Sequence, residues 1–294
     1  ERISTSKTGS WNQLKEFIYR NLVFYSKVKK FKPHVLTGIM GPTIATMGWI
    51  LQCPRIVFYD TECATFTNRF VYPLASAVVT PDCYKGRVGK NHVAYSGYHE
   101  LAYLHPNYFK PDINKIRNMG LEPENGYCVV RFVGWWATHD RGESGLSTGQ
   151  KMDLVKRISE YTRVIISSEA PLPQELIKYK YMGELQDIHH LLAYANMFYG
   201  ESATMASESA VLGTPAIYIA ETGRGYTDDQ EKRYGLVCSF KKYQFEDSVK
   251  KAIEIITGPK SKIEAVSSRK RLLNDKSDVT AFMIDFFENK VRRG

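Results

Sequence analysis

A chain of 294 residues that is 43% hydrophobic can bury one large core or two ordinary ones, which excludes a disordered or low-complexity polypeptide. Its five cysteines are odd in number and form no C-x-x-C pair, so a disulfide framework or zinc knuckle is not expected and a reducing cytoplasm is. The net charge of +9 attracts polyanions in general, but no RNP aromatic motif or helix-turn-helix pattern accompanies it, so nucleic acid is not the expected partner.

The chain opens at Glu1 without the pattern of a signal peptide and reads as a fragment or processed end. The basic clusters "YSKVKKFK" (25–32), "KGRVGKNH" (85–92) and "SSRKRLLNDK" (267–276) read as solvated faces, with an anionic membrane surface as the sharper alternative. Residues 35–54 carry no formal charge, yet Gly38, Gly41, Pro42, Gly48 and Gln52 interrupt them. They read as strand "HVLTGI", helix "GPTIATMGWILQ" and next strand "PRIVFYD", a βαβ unit rather than a membrane span.

The alternation continues. "SAVVTPD" (76–82) and "HVAYSGY" (92–98) are further strands, and "HPNYFKPD" (105–112) has the prolines of a linker. That places an N-terminal domain over 1–108 and a C-terminal domain over 109–294. In the second, "GYCVVRFVGW", "TRVIISSE", "MFYG" and "PAIYIA" are strands, while "STGQKMDLVKRISEY", "LQDIHHLLAYA" and "TMASESAVLG" are helices, the first capped by Ser147. Strands taking turns with helices imply a parallel sheet covered on both faces. The last 45 or so residues are helical by their i, i+3, i+4 apolar spacing.

In such a sheet, ligands bind beyond the carboxyl ends of the strands, where helix N-termini point. "MFYGESATM" brings Ser202, Ala203 and Thr204 to such a place. Free N–H groups and the positive helix end favour a phosphate there, and the absence of bulk at 202 and 203 lets it approach. Glu208, one turn after Thr204, can accept hydrogen bonds from ribose hydroxyls. Helix capping by Ser202 or Thr204, with a solvated Glu208, is the plainer reading of each residue taken singly.

Other polar groups collect at strand ends. Asp60 and Glu62 follow "PRIVFY", and "GYHELAYLHP" adds His99, Glu100 and His105; any of these carboxylates or imidazoles could serve as a general base. Cys63 and Cys83 have no evident His partner, which argues against a thiol nucleophile. "RFVGWWATHDRG" groups Arg131, Trp135, Trp136, His139 and Asp140, the tryptophans reading more readily as core or interface than as base-stacking residues. Glu169 ends the next strand, and the adjacent His189 and His190 face different sides of a helix, so they form no two-His metal pair. No D-x-D motif and no metal-ligand spacing is present, so neither a metal nor a cofactor is expected.

The pattern G-x-S-x-T-x-x-x-E followed by "LGTPAI" resembles the nucleotide-sugar half of GT-B glycosyltransferases and of the non-hydrolysing UDP-N-acetylglucosamine 2-epimerases. "FKPHVLTG", "IVFYDTECA", "TPDCY", "GYHELAYLHP", "VVRFVGWWATHD", "VIISSE", "DIHHLLAYANMFYGESATMASESAVLGTPAI" and "KRYGLV", in order, resemble the uncharacterised branch known as domain of unknown function family 354. The resemblance implies two Rossmann-type doubly wound domains with a cleft between them, the N-terminal one lacking its first strand and glycine-rich turn. It implies that the helix N-terminus holds the diphosphate together with Arg131, that the acid holds the ribose, and that His139, Glu169 and His189 lie on the nucleotide side, His189 at the base. The expected function is metal-independent transfer of a sugar, from a UDP-linked donor, to a lipid-linked or glycan acceptor in surface polysaccharide or glycolipid assembly, in the cytoplasm or peripherally at the membrane's inner face. The base is assigned to Glu62, with Asp60 beside it and Glu100 and His99 in reserve. A 2-epimerase-like enzyme and a non-catalytic nucleotide-sugar scaffold are the alternatives.

Overall fold

The computed structural model describes residues 10–62, 64–134, 145–259 and 261–292. It divides into two compact units, Glu1–Tyr95 with Ala281–Gly294, and Ser96–Thr280. Each unit is built on a fully parallel sheet, as a Rossmann-like two-domain α/β fold of the GT-B type requires.

In the first unit, helix α1 (Ser10–Phe31) leads into β1 (Leu36–Ile39), α2 (Pro42–Ile50), β2 (Arg55–Phe58), α3 (Thr65–Leu74), β3 (Ala77–Pro81) and β4 (His92–Tyr95). Pro42 opens α2, where a missing N–H costs nothing. The strands pair in sequential order, β1-β2-β3-β4. Val57 and Val78 from the sheet pack with Tyr59 and with Val71 and Tyr72 of α3.

The second unit contains α4 (Leu101–Leu104), α5 (Ile113–Asn118), β5 (Tyr127–Phe132), α6 (Thr148–Ser159), β6 (Arg163–Ser168), α7 (Ile188–Tyr194), β7 (Met197–Gly200) and α8 (Ala203–Leu212). It continues with β8 (Ala216–Ile219), α9 (Gly225–Asp229), β9 (Val237–Phe240), α10 (Phe245–Thr257) and α11 (Ser261–Asp275). Helix α12 (Val279–Arg292) follows. The sheet order is β6-β5-β7-β8-β9. Cys128, Val130 and Phe132 of β5 face α6 and α10, packing on Leu154, Ile158 and Val249. Helix α8 contacts β7 and β8. The strands read as unbroken apolar runs because they are buried on both faces.

Ser147 caps α6 as expected: its Oγ accepts from the Gln150 N–H at 3.3 Å while Gln150 Oε1 accepts from the Ser147 N–H at 3.0 Å. The contact division falls between Tyr95 and Ser96, upstream of the 108/109 boundary suggested by the prolines, and residues from Ala281 onward pack with the first unit. Side chains upstream of the prolines already belong to the second core: Tyr98, Leu101 and Leu104 are fully buried, and the Tyr98 hydroxyl donates to Asp229 at 2.5 Å. Lys276, in a segment expected to be solvated, is instead buried, with Nζ 3.2 Å from Asp229. Among the described residues Cys53, Cys83, Cys128 and Cys238 form no disulfide. Among the described residues no helix is long and apolar enough to cross a membrane.

Candidate functional site

The second sheet reverses its strand order at β5: β6 is added on one side of it and β7 on the other. Crossovers to left and right leave a crevice outside the carboxyl ends of β5 and β7, the place where open α/β sheets take ligands. Arg131 and Phe132 end β5, Gly200 ends β7, and Ser202 starts α8.

Gly200 is dictated by sterics. A Cβ there would lie 2.7 Å from the Arg131 carbonyl oxygen and 2.8 Å from the Arg131 Cβ, distances that real Cβ atoms do not tolerate against backbone. Glu201 follows, 2% exposed. Its carboxylate accepts from the Val133 N–H at 2.9 Å and from the Leu146 N–H, with Lys151 Nζ at 4.0 Å. It thereby ties the residue that ends the β5 segment to the one that leads into α6. Burial pushes its pKa up, while the two N–H donors and Lys151 pull it down. Sequence reasoning passed over Glu201, although its position directly after a buried strand was a signal.

Ser202 caps α8, its Oγ accepting from the Met205 N–H at 3.3 Å, so the plainer reading of this residue holds alongside any ligand role. Ala203 is half-buried and Thr204 exposed, which leaves the first turn of α8 open. From Met205 to Leu212 the helix is buried, and Gly213 ends it at φ +86°.

Glu208 is not solvated. Its Oε1 accepts from the Tyr103 hydroxyl at 2.9 Å and lies 2.9 Å from His189 Nε2. Both contacts fall on one oxygen; among the described residues Oε2 takes none. Tyr103, on α4, was not anticipated, because its partner lies 105 residues away. His189 and His190 take different hydrogen-bond partners: the Nδ1 of His190 accepts from the Asp112 N–H at 2.9 Å, and the Phe109 ring packs tilted against its ring with centroids 4.9 Å apart. Burial, and then the nearby Lys115, hold His190 below the usual histidine pKa.

Arg131 and Glu169, both expected on the nucleotide side, bond to each other. The Arg131 guanidinium donates to Glu169 at 2.5 Å and to Ser167 at 2.6 Å, and its buried Nε has no partner among the described residues. Glu169 also accepts from the Gly134 N–H at 3.2 Å. Trp135, Trp136, His139 and Asp140 lie outside the described residues, as does Cys63.

The candidate bases separate. Asp60 and Glu62 stand in the loop after β2 in the first unit, Asp60 accepting from Thr61 at 2.8 Å and Glu62 from the Lys85 N–H at 3.2 Å. His99 and Glu100 precede α4 in the second unit and are 8% and 2% exposed. His105 lies 3.8 Å from Asp278. Among the described residues, no group of three His, Cys, Asp or Glu side chains is placed to hold a metal.

No protein-family model matches the chain. An uncharacterised protein of Methanocaldococcus jannaschii is 23% identical over 220 residues, covering 67% of this chain and 62% of that protein, so the match spans less than two thirds of the relative's length. Among solved structures, sucrose-phosphate synthase from Thermosynechococcus elongatus is similar with a TM-score of 0.66 at 11% identity, over 98% of this chain and 81% of that one. The UDP-GlcNAc 2-epimerase of Methanocaldococcus jannaschii has a TM-score of 0.58 at 12% identity, over 87% and 78%. At such identities the likeness is one of fold, and it is shared by GT-B glycosyltransferases and UDP-GlcNAc 2-epimerases.

Proposed function

We propose that the protein is a metal-independent glycosyltransferase that moves a sugar from a nucleotide-diphosphate donor, UDP-linked, to an acceptor hydroxyl. The observation that carries this reading is the crevice at the β5/β7 reversal, where a cation and an open helix N-terminus stand together. The first N–H groups of α8 and the Arg131 guanidinium would take the diphosphate, and the same groups would stabilise it as it leaves. The Glu208 Oε2 would accept from the ribose hydroxyls, with Tyr103 and His189 fixing the carboxylate through Oε1. Glu62 is assigned the base: it takes the acceptor proton as the acceptor oxygen attacks the anomeric carbon and the nucleoside diphosphate departs. Asp60 is its neighbour, and the deep burial of Glu100 and His99 makes them weaker candidates.

The motif resemblance further suggests domain of unknown function family 354, with an acceptor of the lipid-linked or glycan kind met in surface polysaccharide assembly and an anionic membrane surface as a further partner. A second reading, 2-epimerase-like chemistry without an acceptor, is supported by the superposition on the Methanocaldococcus jannaschii epimerase. Incubation with UDP-sugars and EDTA separates the two: release of UDP supports transfer, and an epimerised sugar nucleotide with no UDP supports the second reading. Glu62→Gln should lower UDP release about a hundredfold or more while nucleotide affinity is kept, the size of a lost general base. Full turnover in that variant removes Glu62 from the mechanism, and a strict need for magnesium or manganese removes the metal-free assignment.

A further inference from the structure

A second cavity, of about 380 Å³, lies at the other end of the second sheet. Asn196 immediately precedes β7, and Gly213, Thr214 and Pro215 immediately precede β8; all four line the cavity. Because the strands are parallel, this amino end is opposite the carboxyl end that carries Gly200 and Glu201. The wall is α11, which contributes Lys262 and Val266 together with Arg269 and Lys270, the last two from the basic stretch 267–276 that no part of the proposed reaction uses.

The electrostatics of this lining are one-sided. It holds three cations and no carboxylate. The acids of α11 are directed elsewhere: Asp275 accepts from Arg233 at 2.9 Å and from the Tyr234 hydroxyl at 3.1 Å, and Glu264 lines a different cavity. Among the described residues, neither Lys262, Arg269 nor Lys270 is ion-paired. Arg269 is half-buried, and its one hydrogen bond runs from Nε to the Val211 carbonyl at 3.0 Å, at the last turn of α8. Burial without a counter-charge lowers its pKa from the usual arginine range. Gly213, at φ +86°, leaves room for it: a Cβ there would lie 2.6 Å from the Arg269 Cδ, so a larger residue would displace the arginine stem from the end of α8.

Capping of the α8 C-terminus accounts for the Arg269 Nε. It does not account for two further lysines on the same acid-free wall, nor for an arginine whose remaining four N–H donors have no acceptor among the described residues. We propose that this cavity is an anion site, separate from the β5/β7 crevice, that takes a small phosphate-bearing molecule. Its volume is within the range of small-molecule sites, roughly 300–1,000 Å³. A phosphomonoester carries about −1.5 to −2 charges at neutral pH, opposite in sign to the three cations of the lining, and a guanidinium can hold two of its oxygens at once. The proposal does not depend on the glycosyltransferase reading.

The test is calorimetric titration of the full chain with inorganic pyrophosphate, in an Arg131→Ala background that removes the cation at the other end of the sheet. Binding persists there, and adding Lys262→Gln with Lys270→Gln weakens it at least about tenfold, the loss expected for charge-assisted contacts. Both lysines are exposed, so an unchanged melting temperature without ligand confirms that the fold is kept. Equal affinity with and without the two lysines, or loss of all binding on Arg131→Ala alone, overturns the site. Flotation with phosphatidic-acid vesicles separates the sources of phosphate: no flotation is expected for a soluble ester, and flotation that the two lysine substitutions abolish assigns the phosphate to a lipid headgroup.

Discussion

The two sheets are made of the same parts and differ in one topological step. In the first, β1 to β4 are laid down in one direction; in the second, the chain adds β6 to one side of β5 and then returns to add β7 on the other. Only that reversal opens a crevice between neighbouring strand ends. The groups at the strand ends follow suit. At the carboxyl end of β7 a buried acid and a glycine locked against Arg131 hold the loops in place, whereas at the carboxyl end of β2 the acids Asp60 and Glu62 sit half-buried in a loop. Parallel sheets alone do not make a site; the order of their strands does.

Removing an acid from each sheet should separate the two most strongly. Glu201→Ala strands two backbone donors, the buried Leu146 N–H at a cost of about 1–3 kcal/mol and the part-buried Val133 N–H, so urea unfolding should show the largest loss here. Asp60→Ala removes a half-buried, loop-borne acceptor that strands no buried backbone donor of this kind, and should cost less than Glu201→Ala. Equal losses would mean that Glu201 does not organise the crevice. Glycines give a second, smaller contrast. Gly200→Ala must push backbone at 2.7 Å and is expected to cost about 1–3 kcal/mol, while Gly38→Ala in β1 meets only the Ile44 side chain at 3.2 Å, which can turn aside. The order reverses if the β5–β7 pairing is looser than these distances say.

The smallest effect is one of pH. The His190 pKa is held below its ordinary value near 6.5, chiefly by burial, and its Nδ1 must stay unprotonated to accept from the Asp112 N–H. The folded state therefore takes up a proton later than the unfolded chain does. The stabilisation is complete above pH 6.5 and is lost as pH falls from there towards the folded value. His190→Asn, which keeps an acceptor and cannot titrate, should flatten that part of the stability curve; an unchanged slope would assign it to other groups.

Most of this fold is legible in the sequence. Runs such as "CVVRF" and "AIYI" have to be strands because only a doubly covered sheet buries them, and Ser147 with Gln150 announces α6 three residues ahead. Less legible is β9, whose "VCSF" is short and follows a stretch crowded with charge. The α1 and α3 helices escape because "TFTNRFVYPL" carries a proline and α1 exposes apolar residues such as Trp11 and Leu22 that blur its periodicity. At the site, Ser202 and Glu208 are visible from local spacing. Tyr103 is not, since it acts through a contact 105 residues away, and Glu201 shows only as the acid directly after a buried strand, its bonds to Val133 and Leu146 being long-range. The bond between Arg131 and Glu169 is a matter of strand adjacency, β5 beside β6, which composition does not encode.

The central claim is that the β5/β7 crevice binds a nucleoside diphosphate, and calorimetric titration of the full chain with UDP tests it most directly. The account predicts binding that Arg131→Ala and Glu208→Ala each weaken by about 1.5–3 kcal/mol, roughly tenfold to a hundredfold, while Asp60→Asn in the first sheet leaves it unchanged. No binding of UDP, or equal affinity in the wild type and in both crevice variants, would contradict it.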